Sequence, residues 1–443
     1  MIKNFVLLIL LPILITAVYL MTSDDNFVGI YALAIMLGGL FLTFMAGKPL
    51  CGILLTMIAM HWVQMDGMFV SLYLIFFVIL LLFLRVSTNK EIRIDRKWWI
   101  LAAWTFGYLA LVFLIKPYHM RPAFFFMNFL AFLLFLTSSL IRWNSRRVFV
   151  FLTVDLIFMV TWAVVERFLS SAVRIEGPSM SSTNFAVTLV IAWSVWFING
   201  FLVLKTKVLH LVLMTFGVMV AILFSGTRMG LLGLGAGLAL AFLCKYIVLY
   251  KNRVLDILMR VGLALVAVAI LSVVVWNMLP DNLFLKQGMS TLLSGNLDSS
   301  SLGRIGAWLT ALDIIHTDPM WGIGPGNFLE RNKIFLDSIT FLPRMDLVPR
   351  LGHAHNLFLM VLSEQGMIGL VSLGFVVLVC LKVLFSYIRI HCDGFGLALV
   401  CGLLLTLGLG MIDVFPLFPS SLGWGAWLMS VIFSLRGEKD SRT

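Results

Sequence analysis

Long apolar runs separated by short polar turns dominate the chain from Phe5 onward. A helix needs about 20 apolar residues to cross a bilayer, and the pattern predicts fourteen such segments: 5–21, 27–46, 50–63, 68–85, 98–115, 123–141, 147–166, 184–204, 208–225, 229–250, 257–277, 356–385, 394–412 and 418–435. The third is short and the stretch before Lys90 is crowded, so twelve is the alternative count. The expected fold is all-α: a polytopic transmembrane helical bundle of about 12 to 14 helices with one long, partly helical periplasmic loop. The first run follows Lys3 in the manner of a signal peptide, but it has no small-residue cleavage site and leads straight into a second run, so it is read as an anchor.

One polar excursion breaks this rhythm, residues 278–354, with six basic and seven acidic residues among Gly, Pro, Asn and Asp turn signals. Inside it Ile305, Trp308, Leu309, Leu312 and Ile315 recur at helical spacing, which predicts an amphipathic helix on the membrane surface or capping the bundle. A turn-rich stretch, Asp318 to Phe328, then leads to a re-entry at His355. Two shorter connections on the same face carry unusual residues: 167–183, and Ser225-Gly226-Thr227-Arg228-Met229-Gly230. The organisation that follows is N-terminal spans over 1–150, a core over 151–435 that includes the loop 278–354, and a cytoplasmic tail, 436–443.

Charge orients the bundle. With the N-terminus in the cytoplasm, the cytoplasmic segments hold 21 of the 32 Lys and Arg but only six acidic residues, whereas the opposite face holds 11 and 12. This is the positive-inside bias, and it makes the net charge of +11 a topology signal. The positive charge is scattered over short loops, with no basic stripe for nucleic acid. Hydrophobic residues make up 61% of the chain and charged residues 12%, which excludes an ordinary soluble domain. Five cysteines lie in or beside spans without CxxC spacing, so neither a disulfide nor a zinc site is expected.

The candidate chemistry gathers at the external face. Arg228 stands between two apolar spans in a loop too short to serve solubility; its planar fork suits a phosphate or diphosphate, and the alternative is an interfacial arginine on lipid headgroups. Arg304, in Leu302-Gly303-Arg304-Ile305-Gly306, is either a second arginine for the same anion or a solvated loop residue. His353 and His355 flank Ala354 at the re-entry, where an imidazole could accept a proton from a sugar hydroxyl. His-x-His is also a metal half-site, but no nearby Asp, Glu or Cys completes it in the sequence, so no metal is expected. Glu364 is positioned to hold an arginine, Asp155 and Asp413 are isolated intramembrane acids, and Asp24 and Asp25 end the first span as a solvated turn or an acidic catalytic pair.

At these residues the sequence resembles the bacterial O-antigen ligase superfamily, which includes O-antigen and exopolysaccharide polymerases. His355-Asn356, nine residues, then Gly366-Met367-Ile368-Gly369 matches its H-[N/S/Q]-x9-G-x-x-G signature. The Ser225 to Gly230 turn looks like its Ser/Arg/Gly turn, Arg304 to Trp308 with Pro319 and Gly322 to Phe328 looks like its large periplasmic loop, and Arg174, Gly177 and Asn184 resemble an R-x-x-G…N segment. The resemblance covers about residues 160–412. It implies that Arg228 and Arg304 bind the diphosphate of an undecaprenyl-linked glycan and that His355 activates the acceptor hydroxyl; Arg174, His353 and Asn356 are further substrate-binding candidates. It also implies an inverting reaction at the inner membrane's periplasmic face, with no cofactor, nucleotide sugar or metal. The acceptor would be lipid A-core for a ligase or a second carrier-linked repeat unit for a polymerase. A transporter, the rival from another class, would carry polar residues on broken midplane helices and inverted repeats, and the sequence has neither.

Overall fold

A computed structural model describes residues 143–169, 174–176, 181–249, 299–338, 348–391, 394–411, 413 and 419–435, with isolated positions at 53, 131, 134, 135, 138, 139 and 141. The spans expected before residue 141, the span at 257–277, the Asp24-Asp25 turn and the tail 436–443 lie outside the described residues.

The described elements are helical throughout: α1 (Ser145–Leu169), α2 (Ser182–Leu202), α3 (Val208–Ser225), α4 (Arg228–Leu249), α5 (Ser299–Thr317), α6 (Phe328–Ser338), α7 (Leu357–His391), α8 (Gly394–Gly410) and α9 (Pro419–Ser434). Each expected span after residue 145 has its helix, the 257–277 span apart. Among the described residues α1, α2, α3, α4 and α7 are long and apolar enough to cross a membrane, and α8 and most of α9 are shorter apolar helices. The chain is an integral membrane protein.

The hub is α2, which packs against α1, α3, α4, α8 and α9. Its apolar window is 83% buried, against 28% for α3, so α2 is enclosed by protein whereas α3 leaves Val208, Leu209, Val212, Leu213 and Phe216 exposed on the outside. Between helices in lipid there is little hydrophobic driving force, and close packing with interhelical hydrogen bonds replaces it. Gly230, Gly233 and Gly237 form one stripe along α4, where an added methyl would meet Ala186, Val190 and Ser194 in turn. That order makes α4 parallel to α2. Gly233 also faces Leu409, and Cys244 Sγ lies 3.3 Å from Cys401 Sγ, so α8 runs antiparallel to both. Polar links join α2 to its neighbours: Asn199 Nδ2 donates to Ser145 O at 2.8 Å, and Trp193 Nε1 to Thr215 Oγ1 at 3.0 Å.

The antiparallel packing brings distant sequence to one end. Arg228 lies five residues before Gly233 and Asp413 four residues after Leu409, so both project beyond that contact on the same side. Across the same end lies α5, packed on α6 and α7.

Candidate functional site

The first half of the site is built on the α3–α4 turn. Gly226 caps α3 in the left-handed region (φ 62), which lets the chain reverse within two residues before Arg228 opens α4. Ser225 Oγ and Thr227 Oγ1 lie 3.0 Å apart, and Thr227 Oγ1 donates to Ser182 O at 3.1 Å, which fastens the turn to α2. Arg174 braces it from the side: its Nε donates to Ser225 O at 3.1 Å and its Nη2 to Ser182 Oγ at 2.9 Å. Burial and then the neighbouring Arg228 guanidinium hold Arg174 below the ordinary arginine range, with Glu176 acting in the opposite direction. Two guanidinium groups beside a helix N-terminus favour negative charge at this place. Asn184, one turn into α2, is 1% exposed with neither amide atom hydrogen-bonded.

The second half is the re-entry before α7. Asn356 caps that helix, its Oδ1 accepting from Phe358 N at 2.9 Å and Leu359 N at 3.1 Å, while its Nδ2 donates to Met411 O at 2.8 Å. The second residue of the signature therefore ties the re-entry to the end of α8. His355 stands just before the cap with φ 46, a strained conformation for a residue with a side chain. Its Nδ1 lies 3.2 Å from Asp413 Oδ1, in ion-pair range but out of line for a hydrogen bond, and Asp413 is 2% exposed. The His353 ring stacks obliquely on His355 with centroids 4.1 Å apart. Burial first, then His355 and Arg304, push the His353 pKa down to about 4 against the pull of Asp413, so His353 is neutral at physiological pH. Arg304 is thus within electrostatic reach of His353, and its enclosed Nε has no hydrogen-bond partner. An unsatisfied buried guanidinium nitrogen is costly, and an anionic ligand would satisfy it.

Why the signature needs its glycines is visible in α7. At Gly366 (φ 65, ψ −166) the helix breaks, and the loop 318–324 supplies hydrogen bonds across the break. Met367 N donates to Pro319 O at 2.9 Å, Ile323 N to Ser363 O at 3.0 Å and Gly324 N to Glu364 O at 2.9 Å. Glu364, expected to hold an arginine, receives Gly326 N at 2.8 Å and Phe328 N at 3.3 Å on its Oε1 and so caps α6. The break, the glycine turn and the two helix starts form one unit that sets His353 and His355 against α5.

Three readings of the sequence change here. Asp413 is not isolated: with His353 and His355 it forms a set whose possible metal-ligand atoms lie within 4.8 Å of one another, so the half-site has the acid that the local sequence lacked. That acid lies 58 positions beyond His355 in the sequence, and the alternation of spans was the signal that returns it to the same face. Arg304 lies within electrostatic reach of His353, and its positive charge opposes a cation there. Asp155 accepts from Trp424 Nε1 at 3.4 Å in the packed interior between α1 and α9, a structural role.

These elements make a helical membrane protein with a cationic, histidine-bearing candidate site at one end of its bundle. Residues 209–374 match the family model described as O-antigen ligase (Wzy_C). The resemblance to the O-antigen ligase superfamily is therefore shown over that segment, which lies inside residues 160–412 and runs from α3 to Gly374 in α7, past both signature glycines. No curated protein matches the chain.

Proposed function

We propose that this protein is a membrane glycosyltransferase. It takes a glycan from undecaprenyl diphosphate and joins it to an acceptor sugar on the periplasmic face of the bacterial inner membrane, as in ligation of O-antigen to lipid A-core. The observation that carries the reading is the grouping of His355, Asp413 and the unsatisfied Arg304 at the bundle end where Arg228 and Arg174 also stand.

The chemistry follows from these groups. With its Nδ1 3.2 Å from Asp413 Oδ1, the carboxylate's charge favours the proton on that nitrogen, and His355 offers Nε2 as the proton acceptor. The acceptor hydroxyl oxygen attacks the anomeric carbon and gives its proton to His355, while the bond from that carbon to the diphosphate oxygen breaks and the diphosphate leaves with the electron pair. A single displacement inverts the anomeric centre. Arg228 and Arg304 stabilise the charge that grows on the leaving group, a contribution worth roughly 10²- to 10³-fold per donor. Arg174 and Asn356 act as positioning residues, since their hydrogen bonds hold the turn and the re-entry.

The test is complementation of two deletion strains, one lacking the ligase and one lacking the polymerase, read as lipopolysaccharide ladders. Wild type is expected to restore the ladder in the ligase-deficient strain, and Arg228→Ala and Arg304→Ala to reduce it about 100-fold or more. Rescue only of the polymerase-deficient strain would make a carrier-linked repeat unit the acceptor. Arginine variants as active as wild type would defeat the site.

A further inference from the structure

The amphipathic stripe that identifies α5 in the sequence does not face the protein. Ala307, Thr310, Ala311 and Ile314 form the packed side, seated on Phe328, Ala354 and the start of α7. Ile305, Trp308, Leu309 and Leu312, 36 to 54% exposed, lie on the opposite side. At about 100° per residue, Arg304 falls on the seam between the two faces, about 40° from Trp308. One helix therefore carries a cation with an enclosed, unsatisfied Nε within electrostatic reach of His353 and, next to it, an open apolar strip about 10 Å long from Ile305 to Leu312.

We propose that this strip binds the first isoprene units of the donor's polyprenyl chain, so that α5 seats the lipid carrier with its diphosphate at Arg304 and its tail along Trp308, Leu309 and Leu312. The inference rests on the glycosyltransferase reading above. The occupant follows from continuity: a diphosphate held at the seam leaves its apolar tail at that same point, and a tail cannot stay in water when an apolar surface begins within one helical turn. Bulk lipid would cover an apolar stripe as well, but it gives no reason for a cation with unmet hydrogen-bonding capacity at the strip's head. Trp308 suits the boundary, since indole favours the region between headgroup and hydrocarbon.

The experiment compares two donors carrying the same glycan, one on undecaprenyl diphosphate and one, the short donor, on a methyl diphosphate that has no isoprene unit to fill the strip, using the full-length protein in lipid vesicles. For Leu309→Asp/Leu312→Asp, and separately for Trp308→Ala, the ratio of kcat/KM for the long donor to that for the short donor is expected to fall roughly 10- to 100-fold, which is the loss of one or two buried apolar side chains. The loss should lie in KM for the long donor. An unchanged ratio overturns the proposal: with both donors as in wild type the strip faces bulk lipid or solvent, and with both reduced equally it serves only the fold. If wild type transfers from neither donor, the glycosyltransferase reading itself fails and this inference with it, an outcome distinct from a wild type active on both donors with variants that keep its ratio.

Discussion

Replacing His355 with alanine is expected to lower the rate of glycan transfer about 10²- to 10⁴-fold, the range for loss of a positioned general base. Donor affinity should change little, because the anion-binding groups stand on α4 and α5. The size of the effect rests on the 3.2 Å approach of Nδ1 to Asp413, which orients the ring and steadies the imidazolium formed during attack. Asp413→Asn should therefore lower kcat while KM for the donor holds, by less than His355→Ala, since the base survives in a poorer orientation. Single-turnover rates with vesicle-bound donor separate the chemical step from binding. His355→Gln keeps the side chain's hydrogen-bonding reach without its basicity. Turnover near that of wild type in this variant would reduce His355 to an acceptor-positioning group.

Gly366→Ala is expected to reduce folded protein more than any substitution among the site's polar groups. The pair φ 65, ψ −166 belongs to a region that is essentially glycine-only, at a cost of about 1 to 3 kcal/mol for another residue. The added methyl would also overlap the Met320 carbonyl, a backbone group that cannot swing aside. Because the loop 318–324 satisfies the broken helix, displacing it would uncouple Glu364 from the start of α6 and free the re-entry that carries the histidines. Thermal unfolding in detergent should show a lowered midpoint and a low yield of folded protein. Gly374→Ala, about two turns further along α7 where an added methyl meets nothing, is the matched control and should behave as wild type. Equal stability of the two variants would refute the role given to the break.

How far the sequence could be read depended on the range over which each constraint acts. Helices α1 to α4 and α7 to α9 were legible because apolar length is a local property, and their observed limits mostly fall within two or three residues of the apolar runs, although α7 continues to His391. The histidine signature was legible as a pattern, but its physical reason was not: the break at Gly366 has meaning only with Pro319 and Met320 docked on it from the preceding loop. Ile305, Trp308, Leu309 and Leu312 correctly marked α5 as a helix, yet periodicity assigns residues to a face without saying what that face meets, and the small residues Gly306, Ala307 and Ala311 were the packed side. The contact of His355 with Asp413 depends on how α8 lies against α4, a long-range arrangement that no local spacing encodes. Arg174 shows the same limit, since nothing in its own segment shows that it braces the turn before Arg228.

Glycan transfer is tested with purified protein in vesicles, with an undecaprenyl-diphosphate-linked glycan as donor, lipid A-core as acceptor and a metal chelator present throughout. Wild type is expected to give a lipid-linked glycan product of inverted anomeric configuration, and Arg228→Ala, Arg304→Ala and His355→Ala a yield lower by about two orders of magnitude or more. Product from all three variants at the wild-type rate would contradict the site, and activity that vanishes with the chelator and returns with a divalent cation would give His353, His355 and Asp413 to a metal instead.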